Sequence, residues 1–209
     1  MRHSLRAEGF GVRLRPVEMD DAAFILWLRH LNHAKGRVGD SAADITSQQD
    51  WLKSYFDREG DFYFIIETLG GISVGTYGLY NAGDGSAESG RWIIRPDVSA
   101  AIPSVILAFH IAFTTLRLKE VRVTTVSTNR TVLSLNVKFG FRQTRIEQGA
   151  QIIDGEPVDL VHFLLTSQDW AKRCETLVPL ARFAETQVKK WAEAQSPTKA
   201  CGDSEKTVS

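Results

Sequence analysis

The chain has 209 residues, with 25 basic and 25 acidic side chains and so no net charge. That length suits one domain with an appendage, the 43% hydrophobic share can build a full core, and neutrality argues against a general nucleic-acid partner. The two cysteines, Cys174 and Cys201, fall near the end without metal-ligand spacing; they read as cytosolic thiols, and no metal site is expected.

Residues 1–8 are polar and basic with no apolar run behind them, so no signal peptide is expected and a cytoplasmic location is. Residues 10–14 predict a first strand. A helix starts at Asp20 and carries Ala23, Phe24, Leu26, Trp27 and Leu31 on its apolar side. Gly36 and Gly39 mark a loop, and residues 46–56 a second helix with Trp51, Leu52, Tyr55 and Phe56 apolar. Residues 62–68 predict a strand, Gly70-Gly71 a hairpin turn, and residues 72–80 its partner. Gly83 and Gly85 turn the chain again into a strand at 88–94.

Residues 98–116 contain no Asp, Glu, Lys or Arg, which raises the question of a membrane span. A helix begun at Pro103 and ended at Leu116 would reach roughly 21 Å at 1.5 Å per residue, short of a hydrocarbon core of roughly 30 Å. A buried helix over 103–118 is therefore expected, with no membrane partner. Val121 to Val126 alternate as a strand does. Asn129 can cap a helix carrying Val132, Leu133, Leu135, Val137 and Phe139, Gly140 can stop it, and Phe141 opens another strand. A last strand at 158–166 precedes an amphipathic helix at 168–194, whose span from Cys174 to Trp191 could pair two copies into a homodimer. The polar tail at 196–209 reads as disordered.

The run from Asn129 to Phe141 resembles the closing motif of the GNAT superfamily of N-acetyltransferases, N-x-x-A-[IL]-x-L-Y-x-K-x-G-F. Asn129, Leu133, Leu135, Lys138, Gly140 and Phe141 match; Val132 stands for the small residue and Asn136 for the tyrosine. Arg13-Leu14-Arg15-Pro16 looks like the family's first strand, and Gly75 after Ile72 and Val74 like the glycine of its third. Asp154-Gly155, Asp159 and Asp169-Trp170 look like the ending of its ribosomal-protein N-terminal and sugar-modifying branches. An ordinary β-α-β corner is the alternative. The resemblance covers about residues 10 to 170. It implies an α/β (α+β) GNAT fold, with a mixed, mostly antiparallel sheet, helices on both faces, and a V-shaped splay between the strands at 88–94 and 121–126. The acetyltransferase domain would occupy 1–167 and a helical extension 168–209.

The same resemblance implies acetyl-CoA as co-substrate. Trp92, Ile93, Ile94 and Arg95 would form the unpaired edge that hydrogen-bonds the pantetheine arm. The pyrophosphate would rest on helix-mouth amides, which lack intrahelical partners. The family writes that loop [QR]-x-x-G-x-[GA]; here it reads Val98-Ser99-Ala100-Ala101-Ile102-Pro103. Neither glycine is present, and Pro103 removes one amide, at a cost of about 1 kcal/mol. Ser99 or Ser104 could supply a hydroxyl in return, and Asn129 borders the same cleft. Weakened cofactor binding is expected; the alternative is a GNAT-like module that no longer uses acetyl-CoA.

Amine acetylation needs an uncharged nucleophile, a polarised thioester and a thiolate that can leave. Glu88 in Ala87-Glu88-Ser89-Gly90 resembles a glutamate that draws the amine's proton in some members; the alternative is a surface carboxylate on a strand edge. Asn136 can donate a hydrogen bond to the thiolate but no proton. Tyr77 or Tyr80 could substitute for the missing acid, or serve only in packing. His110 reads as a core histidine and His162 as structural, whereas His30 and His33 fall near the expected acceptor loop. Trp27-Leu28-Arg29-His30, the stretch 45–52 and the stretch 62–67 resemble nucleotide-amino-sugar N-acetyltransferases. In this family the first two helices and their loop shape the acceptor side, and Arg29, His30, Arg37, Tyr77 and Tyr80 are the expected acceptor contacts. A nucleotide-linked amino sugar, a protein N-terminus and a non-catalytic binding role all remain open at this point.

Overall fold

The computed structural model describes residues 2–31 and 42–195. Gly36, Gly39, His33, Arg37 and the tail at 196–209 lie outside the described residues. Strands β1 (Ala7–Gly9), β2 (Val12–Pro16), β3 (Phe62–Thr68), β4 (Ser73–Gly83), β5 (Ser86–Ile94), β6 (Glu120–Val126), β7 (Arg142–Ile153) and β8 (Glu156–Thr166) form one sheet in the order β1-β2-β3-β4-β5-β6-β8-β7. Helices α1 (Ala22–Arg29) and α2 (Ile45–Phe56) cover one face; α3 (Ala101–His110), α4 (Arg130–Lys138) and α5 (Ser167–Gln195) lie on the other. Alternation along β3 explains the two layers. Tyr63 and Ile65 pack under α1 and α2, while Phe64 and Ile66 join the main core with α3 and α5.

Every strand pair is antiparallel except β5–β6. That parallel pair holds only from Ser86–Glu120 to Glu88–Arg122. Beyond Glu88, β5 runs on to Ile94 and β6 to Val126 without partnering each other. The expected V-shaped splay is present, and the edge of β5 from Ser89 onward faces a gap in the sheet.

Several local expectations need correcting. The first long strand begins at Val12, because Phe10 and Gly11 take φ of 52° and 80° in the turn between β1 and β2. On α1 the buried face is Ala22, Ile25 and Leu28, and Trp27 is 45% exposed. The segment AAFILWLR is apolar almost all round, so periodicity could not select the face that meets the sheet. The helix expected to reach 118 ends at His110 and passes into a wide turn at Ile111–Thr115, with the Leu116 N–H on the Ile111 carbonyl at 2.8 Å. His110 is exposed at that junction; the buried arc is Pro103–Phe109. Among the described residues no helix is long and apolar enough to cross a membrane.

Helix α5 is no detached appendage. Trp170, Leu177, Ala181 and Val188 join the main core, and α5 lies along α3. Pro179 sits in its interior but on the exposed side, where water can reach the carbonyl that the missing N–H leaves unbonded. The hairpin partner β7 is exposed along most of its length, Ile152 to 65%.

Candidate active site

The bulge in β5 shapes the site. Gly78 pairs with Gly90 and Thr76 with Ile93, so β5 carries one extra residue there. Arg91 takes the strain at φ 50°, and the Thr76 hydroxyl donates to its carbonyl at 2.7 Å. The extra residue inverts the side-chain alternation. Ala87 faces the α3 layer before the bulge; Trp92 and Ile94 face it afterwards, and Ile93 turns to Leu28 of α1. Gly90 makes a close approach: a Cβ there would stand 2.7 Å from the Tyr80 hydroxyl oxygen, so the Tyr80 side chain would have to shift. An isolated glycine in a strand pattern is a known sign of a bulge, and it was the available signal for this one.

A cavity of about 750 Å³ occupies the gap and is lined from both faces of the sheet. On the α3–α4 side its walls include Tyr77, Ser89, Trp92, Phe109, Asn136 and Phe139. Helix α4 is held by its ends. The Asn129 side chain accepts the Val132 N–H at 3.3 Å at the amino end. At the other end Gly140, at φ 92°, donates to Val137 and Phe141 donates to Asn136, the two bonds of a Schellman motif. Between these anchors Asn136 is buried, with its amide donating to Thr125 Oγ1 of β6 at 3.2 Å. Tyr77 is fully buried with its hydroxyl 2.6 Å from Ser89 Oγ. Burial pushes the Tyr77 phenol well above its ordinary value, only partly offset by Ser89. It therefore stays neutral at physiological pH and acts as a hydrogen-bond group.

On the α1–α2 side the walls are Arg29, Gln48, Trp51, Arg58, Tyr80 and Arg91. Asp61, buried at the start of β3, receives Arg91 in a two-pronged pair at 2.5 and 2.9 Å, with Arg58 at 3.8 Å. The Arg91 guanidinium also lies 5.2, 5.4 and 4.7 Å from the ring centres of Trp51, Tyr63 and Tyr80. Tyr80 is pushed up by burial and by the nearby Glu88 charge. Arg91, Asp61, Gln48 and Arg58 were not among the expected site residues. The neighbourhoods of Arg91, Asp61 and Arg58 are ordinary, whereas Gln48 falls in the stretch 45–52 whose likeness pointed to the acceptor side; the bulge brings Arg91 across to Asp61.

The expected phosphate loop runs from Arg95 into α3. Ala101 and Ile102 hold the first two helical positions, whose N–H groups have no acceptor within the helix, and Pro103 holds the third. Ser104 is buried; its hydroxyl donates to the Ala101 carbonyl at 2.9 Å and accepts the Trp92 indole N–H at 3.3 Å. It braces the helix mouth from within and is not turned to a ligand. Val98, Ser99 and Ala100 lie in the loop, outside the walls of the cavity. Arg95 also lies outside them, bound through Nε and Nη2 to both carboxylate oxygens of Asp97.

A family model of the acetyltransferase (GNAT) domain matches residues 12–142. The chain belongs to this family. It is an acyltransferase of the N-acetyltransferase type, and members use acetyl-CoA as co-substrate. No curated protein matches its sequence. Among solved structures, a GCN5-related N-acetyltransferase from Brucella melitensis shares 17% identity, covering 86% of each chain at a TM-score of 0.73. Apo FdhC, a nucleotide-linked sugar GNAT, shares 25% identity over 87% of this chain and 99% of its own, at 0.70. A variant of the spermidine N-acetyltransferase SpeG from Vibrio cholerae shares 18%, over 79% and 99%, at 0.69.

In this GNAT chain Glu88 is the last residue of β5 paired with β6, at the vertex of the splay. It is exposed, and its carboxylate accepts the Asn81 amide at 3.0 Å. It lines a second cavity of about 610 Å³, with Arg122, Thr124 and His162. Val123 and Thr124 border both cavities. His162 bridges Thr124 Oγ1 and Glu147 Oε2, each at 3.1 Å. His30 ends α1, exposed and away from the cavity that Arg29 lines.

Proposed function

We propose that this protein moves the acetyl group of acetyl-CoA to the primary amine of a nucleotide-linked amino sugar. The arginine-rich, aromatic acceptor side of the cavity carries the reading. Arg29 and Arg58 line it without displacing the Arg91–Asp61 pair, and they attract a diphosphate through a few charges on an otherwise neutral protein. Trp51 and Tyr80 add flat amphipathic walls that suit a sugar or a base. The likeness to a nucleotide-linked sugar GNAT supports the same class. A polyamine acceptor, as named for the Vibrio enzyme, would bring further positive charge against those arginines.

The pantetheine arm would pair with the edge of β5 beyond Glu88, and the pyrophosphate would meet the amides of Ala101 and Ile102. Glu88 would take the amine's proton at the vertex, and the nitrogen would attack the thioester carbon through the gap. Asn136 and Tyr77 would hydrogen-bond the departing thiolate. A thiol with a pKa near 8.5 leaves without a strong acid.

Calorimetry with acetyl-CoA is the first test, with an expected Kd no weaker than about 1 mM, or roughly −4 kcal/mol. Acetyl transfer to a panel of amino sugar nucleotides, peptide N-termini and polyamines is the second. Turnover of peptides alone would overturn the sugar assignment and leave the acetyltransferase reading standing.

A further inference from the structure

The end of α5 reaches back to the loop that leads into α3. The Trp191 indole N–H donates to Asp97 Oδ2 at 3.2 Å, across 94 residues of sequence. Asp97 is at the same time bound side-on by Arg95, at 3.1 Å to Nε and 2.9 Å to Nη2. The Arg95 guanidinium lies 5.0 Å from the Trp191 ring centre and 5.2 Å from that of Trp27 on α1. Two helices from opposite faces of the sheet thus grip one arginine, and the arginine grips the loop. The backbone follows: Arg95 donates its N–H to Val74, and its carbonyl accepts the Val98 N–H at 3.4 Å.

We propose that Trp191 and Trp27 are positioning residues for the diphosphate arm of the co-substrate, acting through Arg95 and Asp97 on the loop at 95–100. The proposal rests on the acetyl-CoA reading above. The loop carries no glycine, and the remaining donors at the helix mouth are few because Pro103 has no N–H. A site with few donors depends on holding each one in place, since a loop that must be ordered at binding loses the affinity spent on ordering it. The clamp removes that freedom in advance. It also commits the Arg95 fork to Asp97, so the guanidinium works by shaping the loop. Exposure supports this division: the Arg95 side chain is 25% exposed and that of Asp97 is 48% exposed, at the surface where the arm would lie.

The test compares two acetyl donors that differ in the 3′-phospho-ADP portion, which contains the diphosphate. Acetyl-CoA carries it, and S-acetyl-pantetheine does not. In Trp191→Ala the acetyl-CoA Kd by calorimetry should rise about 10-fold, with KM for S-acetyl-pantetheine unchanged. Trp191→Phe keeps an aromatic ring beside Arg95 but loses the N–H donor and part of the ring surface, and should fall between. Circular dichroism and thermal unfolding establish that each variant is folded. Should the alanine variant prove unstable, Trp27→Ala, on an exposed ring, provides the same comparison. An unchanged acetyl-CoA Kd in folded Trp191→Ala, or equal loss with both donors, would overturn the proposal. Wild-type protein that binds neither donor would overturn the acetyl-CoA reading and take the clamp's role with it.

Discussion

The Arg91–Asp61 pair is the most consequential interaction in the acceptor wall, and its removal is calculable. The Asp61 side chain is 7% exposed and that of Arg91 17% exposed. In Arg91→Ala, the ion pair left to Asp61 among the described residues is that with Arg58 at 3.8 Å. Breaking a buried pair from one side costs about 3–5 kcal/mol. Alanine at φ 50° relieves no strain, because it pays the same left-handed cost. For a chain of this size the loss corresponds to a fall in Tm of roughly 6–20 °C. Asp61→Ala should cost less, since the freed guanidinium still rests on three aromatic rings. The double variant should be far milder than the sum, with a coupling of about 2–3 kcal/mol in a urea-denaturation cycle. Single variants that add within about 0.5 kcal/mol would refute the claim that these two charges are interdependent and buried. Folded Arg91→Ala should also raise KM for the acceptor, because Trp51 and Tyr80 lose the group between them.

Other outcomes follow from the same geometry. Glu88→Gln should lower kcat about 10²-fold with acetyl-CoA affinity unchanged, and the deficit should shrink at high pH as more amine arrives uncharged; full activity would remove Glu88 from the mechanism. Gly90→Ala should destabilise the fold by about 1–3 kcal/mol by pressing on the Tyr80 hydroxyl, and Tyr80→Phe in the same chain should return part of it; no rescue would mean the clash lies elsewhere. The Asp97 carboxyl is held below its ordinary 3.8 by the Arg95 hydrogen bonds, with Trp191 adding to them. Its folded value is depressed, so the clamp is intact above pH 3.8 and is lost as pH falls through the lower folded value; the fluorescence difference between wild type and folded Trp191→Phe should stay flat down to about pH 4 and change below it.

How much was legible beforehand varies by element, for physical reasons. The helix mouth at Asn129 and the stop at Gly140 are local devices: a side chain reaching three residues on, and a backbone angle that favours glycine. Both could be read from residue types alone, and with them the whole β6–α4–β7 corner. Strand alternation in β6 and the glycine turns of β3–β4–β5 are local in the same sense, and the order of elements followed. The family likeness then supplied the splay, which no periodicity contains.

Only the tertiary structure decided which atoms line the cleft. Which face of α1 is buried depends on what it meets, and an octapeptide apolar all round leaves that to the sheet. Asp61 and Arg91 are 30 residues apart and meet because one extra residue in β5 turns the arginine inward. Trp191 and Asp97 are 94 residues apart, and they meet because α5 is long enough, packed against α3, to bring its far end back to the loop that leads into α3. Side-chain chemistry was set by the sequence; the partners were set by a bulge and a helix length, which act at distances that no local pattern records.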